Sequence, residues 1–161
     1  VPDTLFLVRH AKAGDRSKWD GDDRYRPLTK KGWRQAERVC ERIAELVTPH
    51  GGLQLVSSPF VRCRQTIEPL STHLDLVIED DDRLAEGFRL EGALELVTSL
   101  PHGSVLCSHG DVIPEVITAL QRRGAEMLSD PDWRKASVWV LDRHGSDVIA
   151  ATCWPPPQDD D

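Results

Sequence analysis

The strongest constraint on this chain is a pair of short, unbroken apolar runs, each ending on a histidine. Thr4-Leu5-Phe6-Leu7-Val8 leads straight into Arg9-His10, and Ser104-Val105-Leu106-Cys107-Ser108 into His109-Gly110. A run without polar alternation suits a strand covered on both faces, as in a parallel sheet flanked by helices. Ligands of open α/β sheets bind beyond the carboxyl ends of such strands. Arg9, His10 and His109 are therefore expected to emerge together at a ligand crevice.

The rest of the chain alternates strand and helix signals. A polar loop, Ala11 to Pro27, holds Lys12, Arg16, Lys18, Arg24 and Arg26. Thr29 then caps a helix whose apolar positions Ala36, Val39, Cys40, Ile43 and Val47 keep helical spacing until Pro49 and Gly51-Gly52. Leu53–Val56 reads as a second strand. Ser58 as cap with Pro59 at the first helical position opens a second helix, with Arg62 in its first turn. Pro69 should kink or shorten that helix. Leu74–Ile78 reads as an edge strand, Glu79–Asp82 as a solvated loop, Glu91–Leu100 and Val112–Arg123 as helices. Ser137–Leu141 and Val148–Thr152, joined around His144-Gly145-Ser146, read as a closing hairpin. The expected fold is α/β: three layers, a mainly parallel central sheet, a C-terminal hairpin and no cap domain.

Composition narrows the function. The 161 residues suit one domain, here 1–154, followed by a frayed tail, 155–161, ending Gln158-Asp159-Asp160-Asp161. A net charge of −7 argues against binding nucleic acid or an acidic membrane, and the five tryptophans lack the spacing of a base-stacking platform. Trp19 alone, in the loop beside the crevice, is a candidate contact for a base or aryl group. Cys40, Cys63, Cys107 and Cys153 form no metal or CxxC pattern, and reduced thiols in a cytosolic protein are expected. Nothing is long enough to span a bilayer, and no signal-peptide core is present. The chain begins Val1-Pro2-Asp3 without methionine, from initiator removal or excision from a longer protein; the second is the working expectation. His50, His73, His102 and His144 fall in turns or helix ends and are read as surface residues.

Four segments accompany the strand end at Arg9-His10. Ser57-Ser58-Pro59-Phe60-Val61-Arg62-Cys63-Arg64 puts Arg62 at a strand-to-helix turn, where helix amides also favour anions. Leu28-Thr29-Lys30-Lys31-Gly32 follows the first loop, Leu84-Ala85-Glu86-Gly87 supplies a carboxylate, and Ser108-His109-Gly110 the second histidine. In this order, from Leu5 to about Ile117, the segments resemble the histidine phosphatase superfamily, the phosphoglycerate-mutase-like fold. The chain is similar to its compact branch, which includes phosphohistidine phosphatases. Arg9-His10-Ala11-Lys12-Ala13-Gly14 with Arg26-Pro27-Leu28-Thr29 also resembles the phosphatase domain fused to some MutT-type Nudix hydrolases, so a covalently linked Nudix partner is an open expectation. Ala11 departs from the usual Arg-His-Gly, though it too is small.

The resemblance implies roles. His10 corresponds to the nucleophile that becomes phosphorylated, Arg9, Arg62 and His109 to the phosphate pocket, and Glu86 to a general acid. Lys12 and Arg16 are candidate substrate clamps, weighed evenly against plain solvation. The chemistry is coherent: two guanidiniums and an imidazole neutralise a phosphate dianion, so neither metal nor cofactor is expected. A neutral imidazole attacks, and a protonated Glu86 completes the leaving group and then serves as base for water. The expected substrate is a phosphate ester, anhydride or phosphoramidate: a small metabolite, a nucleotide or a phosphohistidine protein. The competing reading is a non-catalytic module that kept the fold beside a Nudix enzyme. Sequence leaves the oligomeric state open.

Overall fold

A computed structural model describes residues 3–158. Seven strands form one sheet: β1 (Asp3–Arg9), β2 (Leu55–Ser57), β3 (Ile78–Asp80), β4 (Val105–Ser108), β5 (Glu126–Met127), β6 (Val138–His144) and β7 (Asp147–Trp154). Four helices join them: α1 (Lys30–Ala44), α2 (Val61–Leu74), α3 (Leu90–Ser99) and α4 (Ile113–Arg122). The strand order is β3-β2-β4-β1-β6-β7-β5, and only β6 runs against the others. The sheet is thus mainly parallel and closes on the β6–β7 hairpin, as the sequence predicts.

β1 shows why the sheet takes this shape. Leu5 to Val8 are all buried, and successive side chains serve opposite faces. Leu5 and Leu7 join Leu106, Trp139 and Leu141 beneath α3 and α4. Phe6 and Val8 join Val105, Cys107 and Val138 beneath α1 and α2. An apolar run with no polar alternation is what this two-sided burial demands. Each fully buried Leu, Val or Phe contributes about 1.5–3 kcal/mol.

Four local readings need correction. Ser58 does not cap α2: the helix begins at Val61, Phe60 holds the cap position, and no side chain caps it. Pro69 neither ends nor shortens α2, which runs on to Leu74. An interior proline costs about 3 kcal/mol, which burial of the flanking Ile67 and Leu70 offsets. The third strand is displaced: Leu74 is the last residue of α2, Asp75 turns in the left-handed region at φ 55°, and only Ile78–Asp80 pairs with β2. Glu79 and Asp80 therefore belong to an edge strand. Asp81 is no solvated loop residue either, since it caps a 3-10 turn over Asp82–Leu84 and pairs with Arg83.

Thr29 caps α1 as expected, accepting from the Gly32 N–H at 3.0 Å. A Cβ on Gly32 would sit 2.0 Å from the Lys12 carbonyl oxygen, so only glycine lets α1 pack against the chain leaving β1. All four cysteines are buried free thiols. Pro156 and Pro157 are half-buried, and Arg38 donates to the Gln158 carbonyl. The rest of the expected frayed end, residues 159–161, lies outside the described residues. Among the described residues no helix is long and apolar enough to cross a membrane.

Candidate active site

Arg9 and Ser108 are paired across β1 and β4, so the next residue on each strand is a histidine. The His10 N–H donates to the Ser108 carbonyl at 3.1 Å, and the two imidazoles lie 5.5 Å apart, edge to face. Both are buried. The sheet itself therefore makes the pairing that the two apolar runs suggest.

His10 is held in one tautomer. Its Nδ1 lies 2.8 Å from the Ala11 carbonyl, which can only accept, so Nδ1 carries the hydrogen and Nε2 the free lone pair. Burial first, then the charges of His109, Arg62 and Arg9, lower its pKa to about 3, against an upward pull from the Ala11 carbonyl. The ring is neutral at neutral pH. Ala11 is itself fixed: its N–H donates to Thr66 Oγ1 at 2.9 Å, Thr66 donates to the Arg62 carbonyl at 2.7 Å, and its methyl is buried with Val8 and Cys63. An alanine fits where the resemblance has glycine.

Arg62, in the first turn of α2, is fully buried. It donates to the Asp23 carbonyl and to Asp23 Oδ2, both at 3.0 Å, and to Glu86 Oε1 at 2.7 Å. The same Glu86 oxygen lies 3.3 Å from His109 Nδ1 and 3.3 Å from Arg16 Nη2. A carboxylate oxygen only accepts, so Nδ1 of His109 is a donor aimed into the cradle. Its Nε2 meets Ser58 Oγ at 2.8 Å, and that hydroxyl also accepts from the Phe60 N–H. Ser58 thus holds the His109 ring from its Nε2 side.

Arg9 is positioned differently. One Nη donates to the Trp133 carbonyl, Nε is buried without a partner, and burial lowers its pKa. Trp133 is steadied against the buried Trp139, with ring centroids 5.2 Å apart. A Cβ on Gly110 would lie 2.7 Å from Arg9 Nη2, so Gly110 makes room for the guanidinium.

A cleft of about 900 Å³ is lined by Arg9, His10, Lys12, Arg16, Glu86 and Lys135, among others. All seven residues singled out from the sequence converge here: Arg9, His10, Lys12, Arg16, Glu86 and His109 by lining it or meeting Glu86, and Arg62 through Glu86. Arg16 is two-thirds exposed and lies 3.5 Å from Asp23 as well as against Glu86, so it is tethered to the acids. Trp19 is not among the cleft's lining residues; its indole donates to the Asp22 carbonyl. Sequence reading missed Asp23, Ser58, Thr66, Gly110 and Lys135. Asp23 pairs with Arg62, Arg26 and Arg16; burial opposes its charge, but these cations hold its carboxyl below the usual range. Among the described residues no group of three or more His, Cys, Asp or Glu side chains is arranged to hold a metal ion.

A neutral, oriented imidazole shares the strand ends of an α/β sheet with two guanidiniums and a second imidazole, a set suited to an anionic ligand. Residues 5–89 match the histidine phosphatase superfamily (branch 1), and the chain belongs to that superfamily; its class is that of a phosphatase. An 8-oxo-(d)GTP phosphatase of Mycolicibacterium smegmatis is 35% identical over 162 residues, covering 97% of this chain. The chain spans 49% of that relative's length. In fold it is similar to the protein histidine phosphatase SixA complexed with tungstate (TM-score 0.70, 20% identity, 94% of each chain). It is also similar to a mycobacterial glucosyl-3-phosphoglycerate phosphatase (TM-score 0.62, 20% identity, 98% of this chain and 100% of the other).

Proposed function

We infer that this domain hydrolyses a phosphorylated small molecule through a covalent phosphohistidine on His10, and that the substrate is a nucleotide. The observation that carries the chemistry is the tautomer of His10. With Nδ1 tied to the Ala11 carbonyl and the ring neutral, Nε2 is left as the nucleophile. The nucleotide reading is supported by the relative's name, 8-oxo-(d)GTP phosphatase.

Arg9, Arg62 and the Nδ1–H of His109 take the three phosphoryl oxygens and neutralise charge as phosphorus passes between its partners. At rest, Glu86 Oε1 occupies the donors of Arg62 and His109. An incoming phosphate displaces that carboxylate, and a dianion beside it favours the protonated acid. Glu86 then protonates the leaving oxygen as the His10–phosphorus bond forms. In the second step Glu86 takes a proton from water, the water attacks phosphorus, and the phosphorus–nitrogen bond breaks back to neutral His10. A non-catalytic module beside a Nudix domain needs neither an oriented nucleophile nor an acid, so the geometry favours an enzyme.

The test is phosphate release from 4-nitrophenyl phosphate in EDTA. Wild-type chain turns over, and His10→Ala loses at least about 10⁴-fold, as expected when a nucleophile is removed. Normal turnover by His10→Ala ends the nucleophile assignment. A screen across nucleotides, sugar phosphates and phosphohistidine protein then tests the substrate, and preference for a non-nucleotide ends that part.

A further inference from the structure

Most arginines of this molecule meet an acid. Arg24 pairs with Asp22, Arg83 with Asp81, Arg134 with Asp132 and Arg143 with Asp3. Arg9, Lys12 and Lys135 do not, and neither, among the described residues, do exposed cations such as Lys18, Arg89 and Arg123. Among the described residues no carboxylate lies within ion-pair distance of any of them, in a chain of 27 acidic and 20 basic residues. The first three converge. They line the cleft over His10 and also a second cavity of about 680 Å³ on their far side, completed by Lys31, Gln35, Arg134 and Pro155–Gln158. No acidic side chain lines that cavity among the described residues.

The two lysines are fixed by the same backbone that fixes His10. Lys135 precedes Ala136, which sits in the left-handed region at φ 69° while its N–H donates to the His10 carbonyl at 3.2 Å. The Arg9 N–H in turn donates to the Ser137 carbonyl at 3.0 Å. Lys12 is held by its N–H to Gln35 Oε1 and by its carbonyl, which accepts from the Thr29 N–H, both at 3.0 Å. Burial first, then Arg9, Arg26, Lys12 and Arg62, lower the Lys135 pKa. Cations crowd it, and among the described residues no carboxylate pairs with Lys135, Lys12 or Arg9.

We propose that the second cavity is an anion subsite contiguous with the reacting-phosphate cradle, and that it takes the next phosphate of a phosphoanhydride chain, with Arg9 between the two phosphates. Its chemistry rests on the reading of His10 as nucleophile; its binding does not. Nε2 of His10 bonds the terminal phosphorus as the bond to the bridging oxygen breaks. The electron pair passes to that oxygen, which belongs to the second phosphate, and Lys12 and Lys135 meet the charge growing there. Water then cleaves the phosphorus–nitrogen bond and releases inorganic phosphate. The substrates so selected end in a diphosphate or triphosphate; a simple phosphomonoester leaves the second cavity unused.

Calorimetric titration of inorganic phosphate and of pyrophosphate, in EDTA, tests this on wild-type chain, Lys12→Gln, Lys135→Gln and Lys135→Arg. Pyrophosphate should bind wild type about tenfold or more tightly than phosphate, the scale of a charge-assisted contact. Each glutamine variant should lose about tenfold for pyrophosphate and less than about threefold for phosphate, while Lys135→Arg keeps most of the difference. The ratio of kcat/KM for tripolyphosphate to that for 4-nitrophenyl phosphate should fall by a similar factor. Pyrophosphate binding no tighter than phosphate, or equal weakening of both ligands, overturns the subsite. The titration requires no turnover, so it reads the cavity even if His10→Ala remains active and sinks the nucleophile.

Discussion

The two arginines of the cradle are the same chemical group held in opposite ways. Arg62 is fully buried and compensated by Asp23 and Glu86. Arg9 is held by a backbone carbonyl and meets no carboxylate among the described residues, while both arginines keep a buried Nε without a partner. A buried charge without a partner is costly, so the acids keep Arg62 in place when no ligand is bound. They also compete with the ligand for it. Arg9 lies on the side with Lys12 and Lys135, where positive potential is left for an arriving anion. One half of the cradle is therefore preorganised by the protein's own anions, and the other by main-chain geometry alone.

Substituting each arginine tests that contrast most severely. Arg9→Ala and Arg62→Ala should each lower kcat/KM by about 10³-fold, since each removes a donor to the transferring phosphoryl group. Only Arg62→Ala should lose much stability, about 2 kcal/mol. That lies below the usual 3–5 kcal/mol for breaking a buried pair, because the two acids stay about one-third exposed. Equal losses in thermal melts would erase the distinction. Next in size, Glu86→Gln should slow an alkyl phosphate about 10²-fold and 4-nitrophenyl phosphate far less, because a nitrophenolate leaves without a proton. Equal slowing would remove the acid role.

Gly110→Ala sharpens the comparison from the Arg9 side. Its new methyl falls 2.7 Å from Nη2, and the displaced guanidinium should cost about tenfold in kcat/KM, mostly through KM. Unchanged kinetics would mean that the position of Arg9 matters little. The smallest effect concerns acid. Native His10 is neutral, with its pKa lowered to about 3 from 6.5, whereas the unfolded chain binds a proton below 6.5. Acid therefore favours the unfolded chain, and His10 weakens the fold progressively as pH falls from 6.5 toward 3. In NMR titrations its ring signals should stay flat between about pH 8 and 5, and thermal melts of His10→Ala should be less acid-sensitive than wild type. A His10 titration near the ordinary imidazole value would contradict the buried neutral state.

The parts legible in the sequence were those with a local signal. Leu5–Val8 and Val105–Cys107 lack polar alternation because helices cover both faces, and the histidines follow them directly. Arg62 was legible from its strand-to-helix turn, and Thr29 from the helix it caps. Asp23, Ser58 and Lys135 carry no such mark: each acts on a residue far along the chain, as Asp23 acts on Arg62 and Ser58 on His109. Strands as short as Glu126–Met127 and Ile78–Asp80 have no period to detect. Pro69 misled because packing on Ile67 and Leu70 outweighs a local rule.

The hydrogen bond from the His10 N–H to the Ser108 carbonyl has a consequence for how such a domain can diversify. It places the two reactive rings at the pitch of neighbouring strands, a length that no insertion in residues 11–28, 81–89 or 128–136 can stretch. Away from Ala11, Asp23, Glu86 and Ala136, which hold the centre, those segments can lengthen, shrink or exchange charge and so redirect the domain to new molecules while the reacting centre keeps its gauge.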